Sequence, residues 1–225
     1  MNNLEVKEIL IRKGVNHLYH ANSVLTSLTY LHNGGLISRE TVEKFSLPQT
    51  PQSSDETDKD LGIYNDIFFD SVDIHERKGD VNHYGPITFV YNINVLNELG
   101  NYDICVTKDN PVRWECSTPI CDRYFQNQYE LDDRFVRGTF SQHITIREIS
   151  VPLDFKHLEK IIIDNPKTNY DMLTNAIAAM QEAIDINNIE TVIEVRNCLT
   201  DCNCDCTYAK SHPGYIFHRF KTKSI

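Results

Sequence analysis

The stretch Phe140-Ser-Gln-His-Ile-Thr-Ile-Arg-Glu-Ile-Ser-Val-Pro152 sets a Gln, a His, an Arg and a Glu among β-branched and apolar side chains. Residues 144–151 have the composition of a strand. Alternation predicts Ile144, Ile146, Glu148 and Ser150 on one face, with Thr145, Arg147, Ile149 and Val151 on the other. A carboxylate between isoleucines needs either a hydrogen-bonded partner or a reaction to serve. The competing reading is a strand-edge Glu in solvent. Gln142 and His143, in the loop just before, are read as either part of the same site or a plain turn.

Three other groupings can carry chemistry. In Leu18-Tyr-His20-Ala-Asn22 a strand end runs into a capped helix. A His there can bond a ribose hydroxyl while the helix N-terminus favours phosphate, or it is a structural His held by backbone. In Ile67-Phe68-Phe69-Asp70 through His75 and Arg77, with Tyr84 beyond, aromatics mix with polar residues. Such a pair can stack on a flat cofactor ring or simply fill core. From Trp114 to Arg147, Arg123, Arg134, Arg137 and Arg147 interleave with Tyr124, Phe125, Tyr129, Phe135 and Phe140, without a Lys. Arginine with aromatics suits unpaired bases and phosphates. Asp122, Glu130, Asp132 and Asp133 dilute that charge, so a solvated face competes.

The elements that must hold these residues are short. Residues 1–13 read as an amphipathic helix and 15–20 as a strand. Asn22 or Ser23 caps a helix with Val24, Leu25, Leu28 and Leu31 on its apolar stripe. Gly34-Gly35 ends it, and Ser38 starts another helix with Val42 and Phe45. Residues 48–60 are rich in Pro, Gln, Ser, Thr and Asp and read as a mobile spacer or lid. Strands follow at 84–91 and 102–106, with a helical turn at 95–99 and a helix near 124–131. A helix-to-strand piece is expected at 154–163. The clearest helix is 168–186, and 189–195 is a further helix or strand. Short strands among short helices make an α+β domain.

Composition bounds the rest. The chain has 225 residues, 40% hydrophobic and 24% charged, which suits one sizeable core. A net charge of −10 argues against a nonspecific nucleic-acid coat. No apolar run approaches membrane-spanning length and no export signal opens the sequence, so the cytoplasm is expected, without membrane association. Seven cysteines there are thiols or metal ligands rather than disulfides. Cys198, Cys202, Cys204 and Cys206, near His212 and His218, are numerous enough for zinc. Their Cys-x-Cys-x-Cys spacing lacks the gap of common zinc knuckles, so reduced thiols are the preferred reading and zinc the alternative.

Taken in order, Tyr19-His20-x-Asn22 with its apolar helix and Gly34-Gly35-Leu36, Phe68-Phe69-Asp70 with Tyr84, and Arg147-Glu148-Ile-Ser-Val-Pro152 resemble the ADP-ribosyltransferase superfamily. The likeness is to the DarT-like toxins that modify nucleic-acid bases, and it covers roughly residues 17–165. It implies a split β-sheet core with short flanking helices, about 14–165, within a single domain 1–225. Residues 166–225 then form a helical, Cys-rich extension. It further implies NAD+ as co-substrate and Glu148 as the catalytic residue. His20, Asn22, Phe68, Phe69, His75 and Tyr84 would hold NAD+, with Arg39 and Arg77 competing for one contact. Arg123, Arg134, Arg137, Gln142, His143 and Arg147 would meet the acceptor, RNA ahead of single-stranded DNA. The resemblance also implies a toxin or phage-defence effector restrained by an antitoxin protein, in some systems with a chaperone. Two alternatives stay open: modification of a protein side chain, and a non-catalytic binding module on the same fold. Ile146, where protein-modifying enzymes carry Gln or Glu two residues before the catalytic Glu, argues against the first.

Overall fold

In the computed structural model, residues 1–77, 82–167, 170–197 and 212–223 are described. Helix α1 (Asn3–Arg12) leads to β1 (His17–Asn22), α2 (Val24–His32), β2 (Gly35–Leu36), α3 (Arg39–Lys44) and α4 (Asp55–Asp60). Then come β3 (Ile67–Phe69), α5 (Ile74–Arg77), β4 (Ile87–Asn92), β5 (Ile104–Val106), α6 (Ile120–Arg123) and α7 (Gln128–Arg134). The chain closes with β6 (Ile144–Ile146), β7 (Leu153–Asp154), β8 (Leu158–Asp164), α8 (Tyr170–Ile186), β9 (Ile193–Arg196) and α9 (Pro213–Phe220).

The strands form an α+β core split into sheets: β1-β4-β8-β9, β3-β6-β5, and the pair β2-β7. The first three strands of the larger sheet are antiparallel, while β9 runs parallel to β8. That reversal needs a long crossover, and α8 supplies it. A single bridge, Tyr19 to Asp70, joins the edge of the larger sheet to the end of β3.

Local chemistry explains the elements around the site. Ser23 caps α2 by accepting the Thr26 N–H, and Ser38 caps α3 by accepting the Thr41 N–H. Residues Val24–Leu31 of α2 are all buried, as expected of a helix apolar nearly all round. It lies against α8, α9 and β2. An aromatic cluster fills the space beneath: Tyr30 meets Phe89, Phe69 meets Tyr91, and Phe89 stacks on Phe155. At Gly85, with φ +145°, an added Cβ would stand 2.3 Å from the Asn22 carbonyl oxygen. Only glycine allows that approach, and it brings Tyr84 beside the β1–α2 junction.

Several expectations change. Residues 48–60 are pinned down: the Thr50 N–H donates to Thr26 Oγ1, Thr29 donates to the Pro48 carbonyl, and 55–60 form α4. Composition missed this because polar side chains hold the segment in place of apolar ones. The strand expected over 144–151 ends at Ile146. Glu148 adopts φ +50°, which breaks the alternation and turns its side chain out. The helix near 124–131 divides into α6 and α7 with Tyr124 between them, and the 93–97 turn is a 3-10 helix. Of the C-terminal alternatives, 193–196 is strand. Cys198, Cys202, Cys204 and Cys206 lie outside the described residues. His212 caps α9, accepting the Gly214 N–H. Among the described residues no group of His, Cys, Asp and Glu could hold a metal, and no helix is long and apolar enough to cross a membrane.

Candidate active site

Two clusters, tied by one chain of hydrogen bonds, form the candidate site. The first gathers at the end of β1. The His20 Nδ1 is 2.9 Å from the Phe68 carbonyl. A carbonyl only accepts, so Nδ1 carries the proton and Nε2 keeps a lone pair. Burial pulls the imidazole pKa down, favouring this neutral form. Nε2 is buried without a hydrogen-bond partner among the described residues. The His20 ring lies 5.8 Å from both Tyr30 and Phe69. The Asn22 amide donates to the Tyr30 hydroxyl at 3.0 Å, and burial pushes that phenol up to about 12.

Arg39, at the start of α3, joins this cluster. Its Nε and Nη2 hold both carboxylate oxygens of Asp55, at 2.6 and 2.8 Å. Nη2 also donates to the Thr50 carbonyl, while Nη1 is buried with no hydrogen-bond partner among the described residues. The pair is well covered, with side-chain exposures of 11% and 16%. A planar guanidinium gripping a carboxylate side-on offers the geometry that also grips phosphate. Asp58, on α4, has its carboxyl raised to about 6 by burial, with Asp55 adding to the shift.

The second cluster surrounds the turn after β6. The Glu148 N–H donates to Asp66 Oδ1 at 2.9 Å, and Asp66 Oδ2 lies 3.0 Å from Arg147 Nε. Arg147 is also 5.2 Å from the centre of the Tyr124 ring. The Asp66 carboxyl is raised to about 6, chiefly by burial. The Glu148 side chain itself is 76% exposed. The clusters connect through Asn65: its carbonyl accepts the Ile149 N–H, and its Oδ1 accepts from Ser38, the cap of the helix that carries Arg39.

The remaining residues sort by position. Phe69 is 1% exposed and belongs to the core, so it offers no free ring face; Phe68 is half-buried and meets His143 edge-on. His75 sits elsewhere than expected. It lines a cleft of about 480 Å³ with His17, Tyr19 and Lys160. His17 and Tyr19 occupy the face of β1 opposite His20, and His75 pairs there with Asp164. Arg77 ends the same helix, α5. Of the two competing arginines, Arg39 is the one near His20 and Tyr30, whose protons feel its charge.

The expected acceptor strip is largely engaged with the protein itself. Arg123 is buried, donating to the carbonyls of Leu61 and Thr118 and lying 5.4 Å from the Trp114 ring centre. Arg134 lies over Phe125 and pairs with Glu130. The arginine–aromatic alternation therefore records internal cation–π packing. Gln142 is buried too, accepting the Val136 N–H and donating to the Arg134 carbonyl. His143 is buried 3.5 Å from Asp70. Arg134 and Arg137 remain substantially exposed, the latter paired with Glu76. Sequence reasoning missed Tyr30, Asp55, Asn65 and Asp66. Only the eight-residue step from Asn22 to Tyr30 along a capped helix offered a signal for any of them.

No protein-family model matches the chain, and no curated protein does. Among solved structures, the chain is similar to Thermus sp. 2.9 DarT in complex with ADP-ribosylated ssDNA. That match has 10% identity and TM-score 0.49, covering 81% of this chain and 95% of the other. It is also similar to Thermus sp. 2.9 DarT in complex with NAD+, with 11% identity and TM-score 0.48 over 81% and 96%. A third is Thermosipho africanus DarTG in complex with ADP-ribose, with 12% identity and TM-score 0.47 over 80% of this chain and 50% of that one.

Proposed function

We propose that this chain is an NAD+-dependent ADP-ribosyltransferase that transfers ADP-ribose to a nucleic-acid base, RNA ahead of single-stranded DNA, with release of nicotinamide. The observation that carries it is the tie from the exposed Glu148 through Asn65 and Ser38 to Arg39, with His20 and Asn22 beside it. His20 and Asn22 belong to the first, and Glu148 to the last, of the three sequence blocks that resemble the DarT-like enzymes.

The residues fit NAD+. His20 Nε2 and Arg39 Nη1 are buried polar atoms without hydrogen-bond partners among the described residues, and such atoms are costly unless something fills their needs. The neutral His20 accepts from a ribose hydroxyl, and Arg39 exchanges Asp55 for a phosphate. Bound NAD+ supplies a ribose that turns cationic as nicotinamide leaves. Glu148 stabilises that charge and orients the ribose hydroxyls. It then takes the proton from the attacking base. Arg134, Arg137 and Arg147 are the acceptor-side arginines in this reading; Arg123 and Gln142 brace the fold. An antitoxin protein, with or without a chaperone, is the expected restraint in the cell. Protein modification is the second reading. It is disfavoured by Ile146, which is fully buried in β6 and has no polar group to offer a target side chain.

The test incubates labelled NAD+ with RNA, single-stranded DNA and lysate protein in turn, using the full chain and Glu148→Gln. Label on RNA that vanishes in the variant is expected. Label on none of the three, or undiminished in the variant, rejects the reading.

A further inference from the structure

We propose that Asp66 is the positioning residue for Glu148, holding the reactive carboxylate in its outward turn by gripping residues 147 and 148 together. The inference rests on the reading of Glu148 as the catalytic residue. The Asp66 side chain is 0% exposed, yet both of its oxygens are directed at that turn. Oδ1 accepts the Glu148 N–H at 2.9 Å, and Oδ2 lies 3.0 Å from Arg147 Nε.

The turn needs such a grip. Glu148 stands at φ +50°, where an L side chain is strained and the conformation persists only if its surroundings impose it. Three successive residues are anchored there. The Arg147 N–H donates to the Asp103 carbonyl, the Glu148 N–H to Asp66, and the Ile149 N–H to the Asn65 carbonyl. Only the Glu148 side chain is left out in solvent, at 76% exposure. Without Asp66, residue 148 can relax to ordinary φ, which redirects its Cα–Cβ bond and displaces the carboxylate. A buried carboxylate is costly for a fold to keep, and its partners here are Glu148 and the residue before it.

The charges around Asp66 make the grip readable. Arg147 and Glu148 face it from the turn, Tyr124 from the end of α6, and Cys105 from β5. Burial holds its carboxyl at about 6, against the pull of Arg147 and the Glu148 N–H. Protonation on the acid side removes the countercharge of Arg147 and loosens the turn.

The experiment measures NAD+ hydrolysis without acceptor from pH 5 to 9, and NAD+ binding by calorimetry, in the wild-type chain, Asp66→Asn, Asp66→Ala and Glu148→Gln. Asp66→Ala should lower kcat by about 30- to 100-fold, the scale of an ångström-sized misplacement. NAD+ affinity should stay within about threefold, since Asp66 lies outside the Arg39 cluster. Asp66→Asn keeps the hydrogen-bond acceptor, so its kcat should fall between the two. The acid limb near pH 6 should vanish from its profile. Arg147→Gln reads the same pair from the other side, should the Asp66 variants not fold. Its acid limb should move to higher pH, because the charge that favours ionised Asp66 is gone. Wild-type kcat in Asp66→Asn, an unchanged acid limb in either charge-removing variant, or NAD+ binding lost in step with kcat would overturn the inference. Glu148→Gln separates the two claims: if it is inactive while Asp66→Asn is wild-type, only the positioning role fails. If Glu148→Gln turns over normally, the underlying reading fails with it.

Discussion

In the proposed reading Arg39 and Asp55 form the pair that matters most for NAD+ binding, and Asp55→Asn tests them with two responses of opposite sign. Breaking a fully buried ion pair costs about 3–5 kcal/mol. This one retains 11% and 16% side-chain exposure, and Asn can still accept one of the two guanidinium bonds. About 2 kcal/mol is therefore the reasonable loss. In a chain of 225 residues that corresponds to a drop in Tm of about 4–8 °C. Affinity for NAD+ should move the other way. In the proposed reading a phosphate must displace the Asp55 carboxylate, so the apparent Kd is the intrinsic Kd divided by the fraction of molecules in which Arg39 is free. With about 2 kcal/mol of that competition removed, NAD+ should bind roughly 10- to 30-fold more tightly. Differential scanning fluorimetry reads the first response and isothermal calorimetry the second. Lower Tm together with weaker or unchanged NAD+ binding refutes the idea that Asp55 holds the place of a phosphate.

Other outcomes follow from the same geometry. Arg123→Ala strands the buried carbonyl of Leu61 and the part-buried one of Thr118, and should cost about 3 kcal/mol. Below its melting temperature its KM for nucleic acid should match wild type; a raised KM would return Arg123 to the acceptor surface. Glu148→Gly relieves φ +50° and removes a side chain that is 76% exposed, so Tm should hold steady or rise by up to about 3 °C while turnover is lost. A clear fall in Tm would show that the Glu148 side chain supports the fold. Asp58 is raised from 3.8 to about 6 in the folded chain. A carboxyl raised on folding stabilises fully below its unfolded pKa, and that contribution is lost as pH rises through the folded value. Asp58→Asn, which mimics the protonated form, should therefore melt above wild type at pH 7.5 and level with it near pH 4. Equal melting at both pH values would show that Asp58 is ionised without penalty.

Sequence alone determined the α+β class and most helix boundaries near the site. Those depend on short-range chemistry: Ser23 and Ser38 cap their own helices, and the apolar periodicity of α2 is local. It also put forward His20, Asn22 and Glu148, with Arg39 and Arg77 as alternatives, since residue types and order are visible along the chain. What it lacked was any record of which long-range partner each polar side chain takes. Arg123, Arg134 and Arg147 look alike in sequence, yet one is buried against carbonyls, one lies over Phe125, and one pairs with Asp66. The segment 48–60 looked mobile because hydrogen bonds to Thr26, Thr29 and Arg39 leave no hydrophobic trace. The strand setting expected for Glu148 does not hold. Strand alternation is a local rule, whereas Glu148 stands at φ +50° with its N–H bonded to Asp66, which lies 82 residues away in the chain. Buried charges find their partners across such separations, and only tertiary structure decides them.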